Sequence, residues 1–309
     1  MNGFATKNTM PKWLLALARK SENWVDAHAR LFAVRTDATG VIDYASLKVH
    51  SEFLTLARLI AETATSQDQR AQFLGHIERM RPPIQHLLTT VRSFPQCFPI
   101  ALCVAHEGWG PLGVKNLQTE FENDFALSWR ERLPVEDLYI GRIFETNSAQ
   151  KLSLLQSGML RNAAFADRFP HQLNAETGYF ITHGVFFATN WGRCLIDDKQ
   201  MKKSQLAGAL DASFGAWIAQ HEYDLCFEVI ATLIMIGRQD VTPRLIDLLV
   251  TFAPETLPRG RSYFPKGAPR YQALAARFNN LVQREFILTY HIALTIILAT
   301  NVAQRSDEA

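Results

Sequence analysis

Helical periodicity is the feature that most constrains the fold of this chain. Apolar residues recur at three- and four-residue steps through most of its 309 residues, as they do along one face of an α-helix. No stretch alternates apolar and polar residues strongly enough to predict a sheet. We therefore predict an all-α protein of about a dozen helices in stacked antiparallel hairpins. The hairpins would form either an α/α toroid or a solenoid-like stack, and the sequence leaves both open.

Residues 178–193 form the most informative of these helical segments. The segment is apolar nearly all round, which predicts burial on most sides, yet it contains His183 and Asn190 on a shared face. A buried polar group without a hydrogen-bond partner costs about 1–3 kcal/mol. Two interpretations follow. Either both side chains are satisfied structural groups, with Asn190 helping to end the helix, or they line a cavity.

A second apolar helix carries two carboxylates, Asp224 and Glu228. Both stand on one helical face with His221, at spacings of three and seven residues from it. Glu228 lies within an apolar run, where an ionised carboxylate is costly unless it is paired or protonated. In the structural interpretation, Asp224 caps the helix and Glu228 pairs with an Arg or His of a neighbour. In the functional interpretation, Glu228 is a general acid or base.

His291 is the third polar residue within a core-like helix. If the three apolar helices meet, His183, Glu228 and His291 would either hold a metal or form an acid/base pair, and we predict these three as catalytic residues. The predicted substrate-binding residues are Asn190, Asp224, Phe187, Trp191 and Tyr290. No metal-binding motif such as H-E-x-x-H is present, so we predict no metal site, and the sequence identifies no cofactor.

Composition and charge exclude several classes of protein. With 32 basic and 30 acidic residues, the formal charge of +2 argues against binding nucleic acid through bulk charge. The apolar stretches fall short of the ~18 residues that a membrane-spanning helix needs, and the N-terminus lacks the apolar core of a secretory signal. The four cysteines form no C-x-x-C pair. We therefore predict a cytoplasmic protein without membrane contact, and a homodimer is left open.

The chain is short enough to form one helical domain, 1–309, and a subdivision near residue 110 is left open. Residues 254–270 have no apolar period and contain four prolines and four basic residues, which predicts a mobile basic loop. Tyr263 and Phe264 in its middle would be placed to close over the mouth of a cavity.

The segment from Thr182 to Gly192 resembles a motif, Thr-His-x-Val-x-Tyr-x-Thr-Asp-Phe-Gly, of a family of uncharacterised, mainly actinobacterial helical proteins. Tyr290-His291 and the pair Asp224 and Glu228 resemble two further features of that family. Three positions depart from the motif, with Phe187 for Tyr, Asn190 for Asp and Trp191 for Phe. The change to Asn190 removes a charge that would orient His183 or hold a cation. The resemblance implies no known activity, only a connection with small-molecule or peptide biosynthesis.

These observations support two hypotheses about function. The first is an enzyme of bacterial specialised metabolism, which acts on a small apolar or aromatic substrate, or a peptide, in a helical cavity by acid/base chemistry such as cyclisation or elimination. The second is a non-catalytic helical scaffold that binds a peptide or protein partner along a concave face. The enzyme requires the polar residues of the three apolar helices to meet around a closed cavity. The scaffold requires each of them to have its own structural partner and an open groove to be exposed.

Overall fold

The computed structural model describes residues 12–64, 66–124, 173–189, 191–192, 203–252 and 281–308. These residues form ten α-helices and two short 3-10 turns, with no strand among them, which confirms the predicted all-α class. The helices are α1 Lys12–Ala27, α2 Tyr44–Thr63, α3 Gln67–Met80, α4 Ile84–Ser93, α5 Phe98–Asp124, α6 Ala175–Ala188, α7 Lys203–Ala219, α8 Tyr223–Met235, α9 Thr242–Phe252 and α10 Leu281–Glu308. The total of about a dozen and the toroid or solenoid arrangement stay predictions.

The chain divides into two compact units. The composite unit joins Met1–Ala27 to Leu160–Ala309, and the inserted unit is His28–Met159. The prediction of one domain with a subdivision near residue 110 remains a prediction. The basic loop predicted at residues 254–270 lies outside the described residues.

The inserted unit is built on α2, which packs against α3 and α5, while α4 packs against α5. Asp43 begins α2 as its N-cap, because its carboxylate accepts a hydrogen bond from the Ser46 backbone N–H at 2.9 Å. Phe32 and Phe53 stack in the core of this unit with ring centroids 4.6 Å apart. The N-cap residue of α2 and the buried aromatic pair therefore both stabilise the helical fold of this unit.

Helix α5 has a kink at Gly110, whose φ of 67° and ψ of −158° suit glycine almost exclusively. Two backbone carbonyls just before the kink accept hydrogen bonds from arginines, and Pro111 has no backbone N–H to offer the Glu107 carbonyl. Arg58 donates to the Glu107 carbonyl at 2.7 Å and Arg81 to the Gly108 carbonyl at 3.3 Å. The sequence predicts a short buried helix that ends at Gly108, and the first helical segment of α5 ends at the kink two residues later.

Helix α8 is the centre of the composite unit. All of its residues, from Tyr223 to Met235, are buried, and it contacts α6, α7, α9 and α10. Helix α1 packs along α10, where Trp24 stacks on Phe286 with ring centroids 6.0 Å apart. An apolar helix that is buried all round is the environment in which a carboxylate most needs a partner.

Gly178 allows α6 to approach its neighbours closely. A Cβ atom at this position would lie 2.9 Å from both Leu225 Cδ2 and Trp217 Cζ2, and real Cβ atoms do not come that near to other heavy atoms. A glycine therefore brings the first turns of α6 against α8. The same close approach sets Thr182 and His183, one turn further along α6, beside Glu228.

Candidate functional site

The Glu228 carboxylate lies at the middle of the candidate site, and its side chain is 2% exposed. Its Oε2 accepts a hydrogen bond from Thr182 Oγ1 at 2.5 Å. Its Oε1 lies 3.7 Å from His183 Nε2 and 3.8 Å from His291 Nε2. The three residues predicted as catalytic therefore meet around one carboxylate oxygen, although α6, α8 and α10 are far apart in sequence.

Asp224 orients the second histidine of the cluster. His291 Nδ1 lies 2.8 Å from Asp224 Oδ2, and both side chains are mostly buried. Because a carboxylate only accepts hydrogen bonds, Nδ1 carries the proton and Nε2 faces Glu228. The position that caps α8 is Glu222, and Asp224 lies in the first turn of the helix. The capping role considered for Asp224 is thus replaced by a contact with α10.

His183 connects the cluster with the protein surface. Its side chain is 38% exposed, whereas that of His291 is 13% exposed and that of Asp224 is 4% exposed. The His183 ring lies near two aromatic rings, with centroid distances of 6.3 Å to Tyr179 and 6.1 Å to Phe186. The cluster therefore runs from a buried carboxylate to an imidazole that solvent or a small molecule can reach.

Two polar contacts of this region were not predicted from the sequence. Tyr179 donates its hydroxyl hydrogen bond to Glu222 Oε2 at 3.0 Å, and both residues are buried. Thr182 contacts Glu228 as described above. Tyr179 stands four residues before His183 on the same helical face, and this spacing could have indicated that it borders the site. Nothing in the sequence pointed from Thr182 to Glu228, since 46 residues separate them.

Of the remaining predicted substrate-binding residues, the structure describes the side chains of Tyr290 and Trp191. Tyr290 is buried, stacks on Phe286 at 5.5 Å and meets the His291 ring edge-on at 5.9 Å, so it borders the cluster. Trp191 stacks on Phe186 at 5.2 Å and has a backbone φ of 58°. Asn190 lies outside the described residues, as does the side chain of Phe187.

Cys226 lies on the same helix as the carboxylates but does not provide a nucleophile. The thiol is fully buried, and this burial, together with the charges of Asp224 and Glu222, raises its pKa well above the usual value. A thiol that keeps its proton is a poor nucleophile. The chemistry of the cluster therefore rests on its imidazoles and carboxylates.

Among the described residues, no group of three or more His, Cys, Asp or Glu side chains could hold a metal ion. Nor does any helix in the same part of the chain have the length and apolar character that crossing a membrane requires.

The fold and the cluster together define an all-helical protein that holds two histidines and two carboxylates inside an apolar helix bundle. Residues 18–291 match the family described as Domain of unknown function (DUF6895), and the chain belongs to this family. No curated protein and no solved structure matches it. The resemblance to a family of uncharacterised function is thereby confirmed, while the Thr-His motif and the bacterial range stay predictions.

Proposed function

We propose that this protein is an enzyme that moves protons on a small apolar or aromatic substrate, with His183 as the group that meets the substrate. The observation that carries this proposal is the Glu228 carboxylate oxygen, which lies within 4 Å of two imidazoles. One imidazole is accessible and the other is held by a buried carboxylate. Acid/base catalysis needs a positioned group of this kind, whose proton is easily gained and lost.

The chemistry follows from the geometry of the three groups. His183 takes a proton from the substrate through the ring nitrogen that does not face Glu228, and the imidazolium that results is stabilised by the negative charge of Glu228 beside Nε2. Distances of 3.7 and 3.8 Å are too long for direct hydrogen bonds and suit ion pairs. His291, oriented by Asp224, stabilises the same Glu228 oxygen when its Nε2 is protonated. Return of the proton to a different substrate atom completes an isomerisation, cyclisation or elimination.

The scaffold hypothesis remains the second candidate. It expects each polar side chain of the apolar helices to have a separate structural partner. The convergence of residues from three helices on Glu228 favours the enzyme instead, as does the exposure of His183. A place in bacterial specialised metabolism belongs to the same proposal and rests on the sequence resemblance.

Turnover of a nitrobenzisoxazole tests the proposal directly. In this reaction a base takes the ring C–H proton, the N–O bond breaks, and a coloured cyanonitrophenolate is released while the proton stays on the base. We expect the protein to exceed the rate of an equal concentration of free imidazole by about 10²-fold or more. His183→Ala and Glu228→Gln should reduce the rate to the level of free imidazole while the melting temperature stays close to that of the wild type.

His106→Ala is the matched control. His106 is 36% exposed and lies 3.2 Å from the buried Glu107, so it resembles His183 in exposure and in its carboxylate neighbour. It lies in the other unit, and its removal should leave the rate unchanged. A wild-type rate no higher than that of free imidazole, or a His183→Ala variant as fast as the wild type, would overturn the proposal.

A further inference from the structure

The outer surface of α6 presents an aromatic ring beside the accessible imidazole. Phe180 is 45% exposed, although its neighbours Tyr179 and Ile181 are buried. It stands three residues before His183, so the two side chains are neighbours on the helix surface. A single exposed aromatic residue needs no explanation, but one beside a reactive group supplies an apolar contact for whatever that group acts on.

Gly184 leaves the adjacent position on this surface bare. A Cβ atom built there meets no described atom within 4 Å, in contrast to Gly178, where two side chains exclude one. Packing therefore explains the first glycine of α6 but not the second.

We propose that Phe180 and Gly184 form a platform for the substrate, and that the substrate is a flat aromatic molecule of one or two rings. The proposal rests on the proposed function, because it places the ring beside His183. Phe180 to Gly184 covers one helical turn, about 6 Å along the axis, which matches the width of a ring system of that size. One edge of the ring contacts the Phe180 side chain, the middle lies over bare backbone, and the reacting edge meets the exposed part of the His183 imidazole.

Contacts of this kind account for the choice of an aromatic substrate. Two aromatic rings in offset or edge-on contact gain about 0.5–1.5 kcal/mol beyond the apolar area that they bury. A flat molecule also lies close to a backbone that carries no side chain, whereas a branched aliphatic molecule leaves gaps. The His183 ring lies beside Tyr179 and Phe186 and is 38% exposed, so a substrate ring can reach it.

The test fills the open space at Gly184. Gly184→Leu places a side chain where the ring would lie, and we expect the KM for the nitrobenzisoxazole to rise about 10-fold or more. Binding of a nitroindazole, which has the same shape but does not react, is measured by calorimetry and should weaken by the same factor. Phe180→Ala should weaken it about 5-fold, because an aromatic contact is lost while the space stays open.

Gly208→Leu in α7 is the matched control. Gly208 also lies in a helix of the composite unit with no described atom within 4 Å of its Cβ position, but its neighbours on the helix surface are Ser204, Asp211 and Ala212. Both leucines replace a helical glycine, so both variants should melt at or above the wild-type temperature. Only Gly184→Leu should weaken binding.

The outcomes separate the two proposals. If Gly184→Leu and Phe180→Ala bind the nitroindazole as tightly as the wild type does, the platform is overturned and the acid/base proposal stands on the His183→Ala result alone. If the wild type binds the nitroindazole and Gly184→Leu does not, but His183→Ala turns over as fast as the wild type, the platform stands and the acid/base proposal fails. A wild type that does not bind the nitroindazole also overturns the platform.

Discussion

Both units of the molecule bury a glutamate beside a histidine, but they neutralise its charge differently. In the inserted unit, Glu107 lies 3.6 Å from Arg58 Nε and 3.2 Å from His106 Nδ1, and Arg58 also holds the Glu107 backbone carbonyl. An arginine keeps its proton at every pH at which the protein is folded. The charge on Glu107 is therefore balanced by a partner that cannot take part in proton transfer.

In the composite unit, the ion-pair partners of Glu228 are the imidazoles of His183 and His291. His291 also contacts Asp224 through its Nδ1 atom. Imidazoles gain and lose protons near neutral pH. A buried carboxylate beside a histidine is therefore a structural ion pair when a guanidinium supplies the countercharge. The same carboxylate becomes a candidate for proton transfer when its ion-pair partners are imidazoles, as those of Glu228 are, with Thr182 as a further hydrogen-bond donor.

The largest expected effect comes from removing the fixed charge of the inserted unit. Arg58→Met leaves Glu107 buried without its permanent partner, and we expect the free energy of unfolding to fall by about 3 kcal/mol at neutral pH. Urea unfolding measures this loss. A value near the low end for buried pairs is expected because the Arg58 side chain is 31% exposed.

Arg35→Met is the control in the same unit. Arg35 forms an ion pair of 3.0 Å with Asp43, and both side chains are about half exposed. Exposed pairs contribute between 0 and about 1 kcal/mol. Equal losses for the two variants would contradict the view that Arg58 balances a buried charge.

A second prediction concerns His50, which is buried in the inserted unit. Its Nδ1 lies 2.9 Å from the Phe32 carbonyl oxygen, and its Nε2 has no hydrogen-bond partner in the described structure. Burial lowers the pKa of His50 from 6.5 to about 4. The unfolded chain thus binds the proton first, so the stability contributed by neutral His50 is complete above pH 6.5 and is lost as the pH falls toward 4.

On acidification, the free energy of unfolding should fall by about 3 kcal/mol at most because of His50. Urea unfolding at neutral and acid pH measures this change. His50→Asn is the control, because its amide can still donate to the Phe32 carbonyl but does not titrate. The variant should lose less stability on acidification than the wild type. If both respond equally to pH, His50 is not the source, and the acid response of this unit has another origin.

The smallest expected effects concern backbone strain, which also differs between the units. The described residues of the inserted unit with positive φ are Gly40 and Gly110, whereas the composite unit includes His221 at φ 61° and Trp191 at φ 58°. Gly110→Ala should cost about 2 kcal/mol, all of it from the backbone because no described atom lies within 4 Å of the added Cβ. His221→Gly should instead gain about 0.5 kcal/mol, since relief of strain exceeds the loss of its partly buried contact with Tyr223.

Thermal unfolding shows whether each variant is less stable or more stable than the wild type. If Gly110→Ala is neutral, the kink in α5 does not require glycine. If His221→Gly destabilises the protein, the 2.9 Å contact between His221 Nδ1 and the Tyr223 hydroxyl outweighs the strain. Either result would weaken the contrast between a relaxed inserted unit and a composite unit that tolerates strain near its candidate site.

Much of the helical fold was predictable because helix ends depend on nearby residues. The apolar period predicts a helix over about Tyr44 to Thr63, which matches α2 at both ends, and Thr242-Pro243 predicts the start of α9. The same period predicts that the helix containing His183 ends at Gly192, whereas α6 ends at Ala188. Helical apolar period continues past Ala188, and the chain turns there because Trp191 folds back onto Phe186, a contact that the period does not encode.

The sequence by itself determined the helical class and singled out His183, Glu228 and His291, because the cost of burying a polar group depends on the apolar run around it. Only the tertiary structure decided which of them meet. Asp224 and His291 are 67 residues apart, and Arg58 and Glu107 are 49 apart. Nothing local distinguishes the glutamate that pairs with arginine from the one that pairs with histidines, since that choice depends on which helix packs opposite each carboxylate.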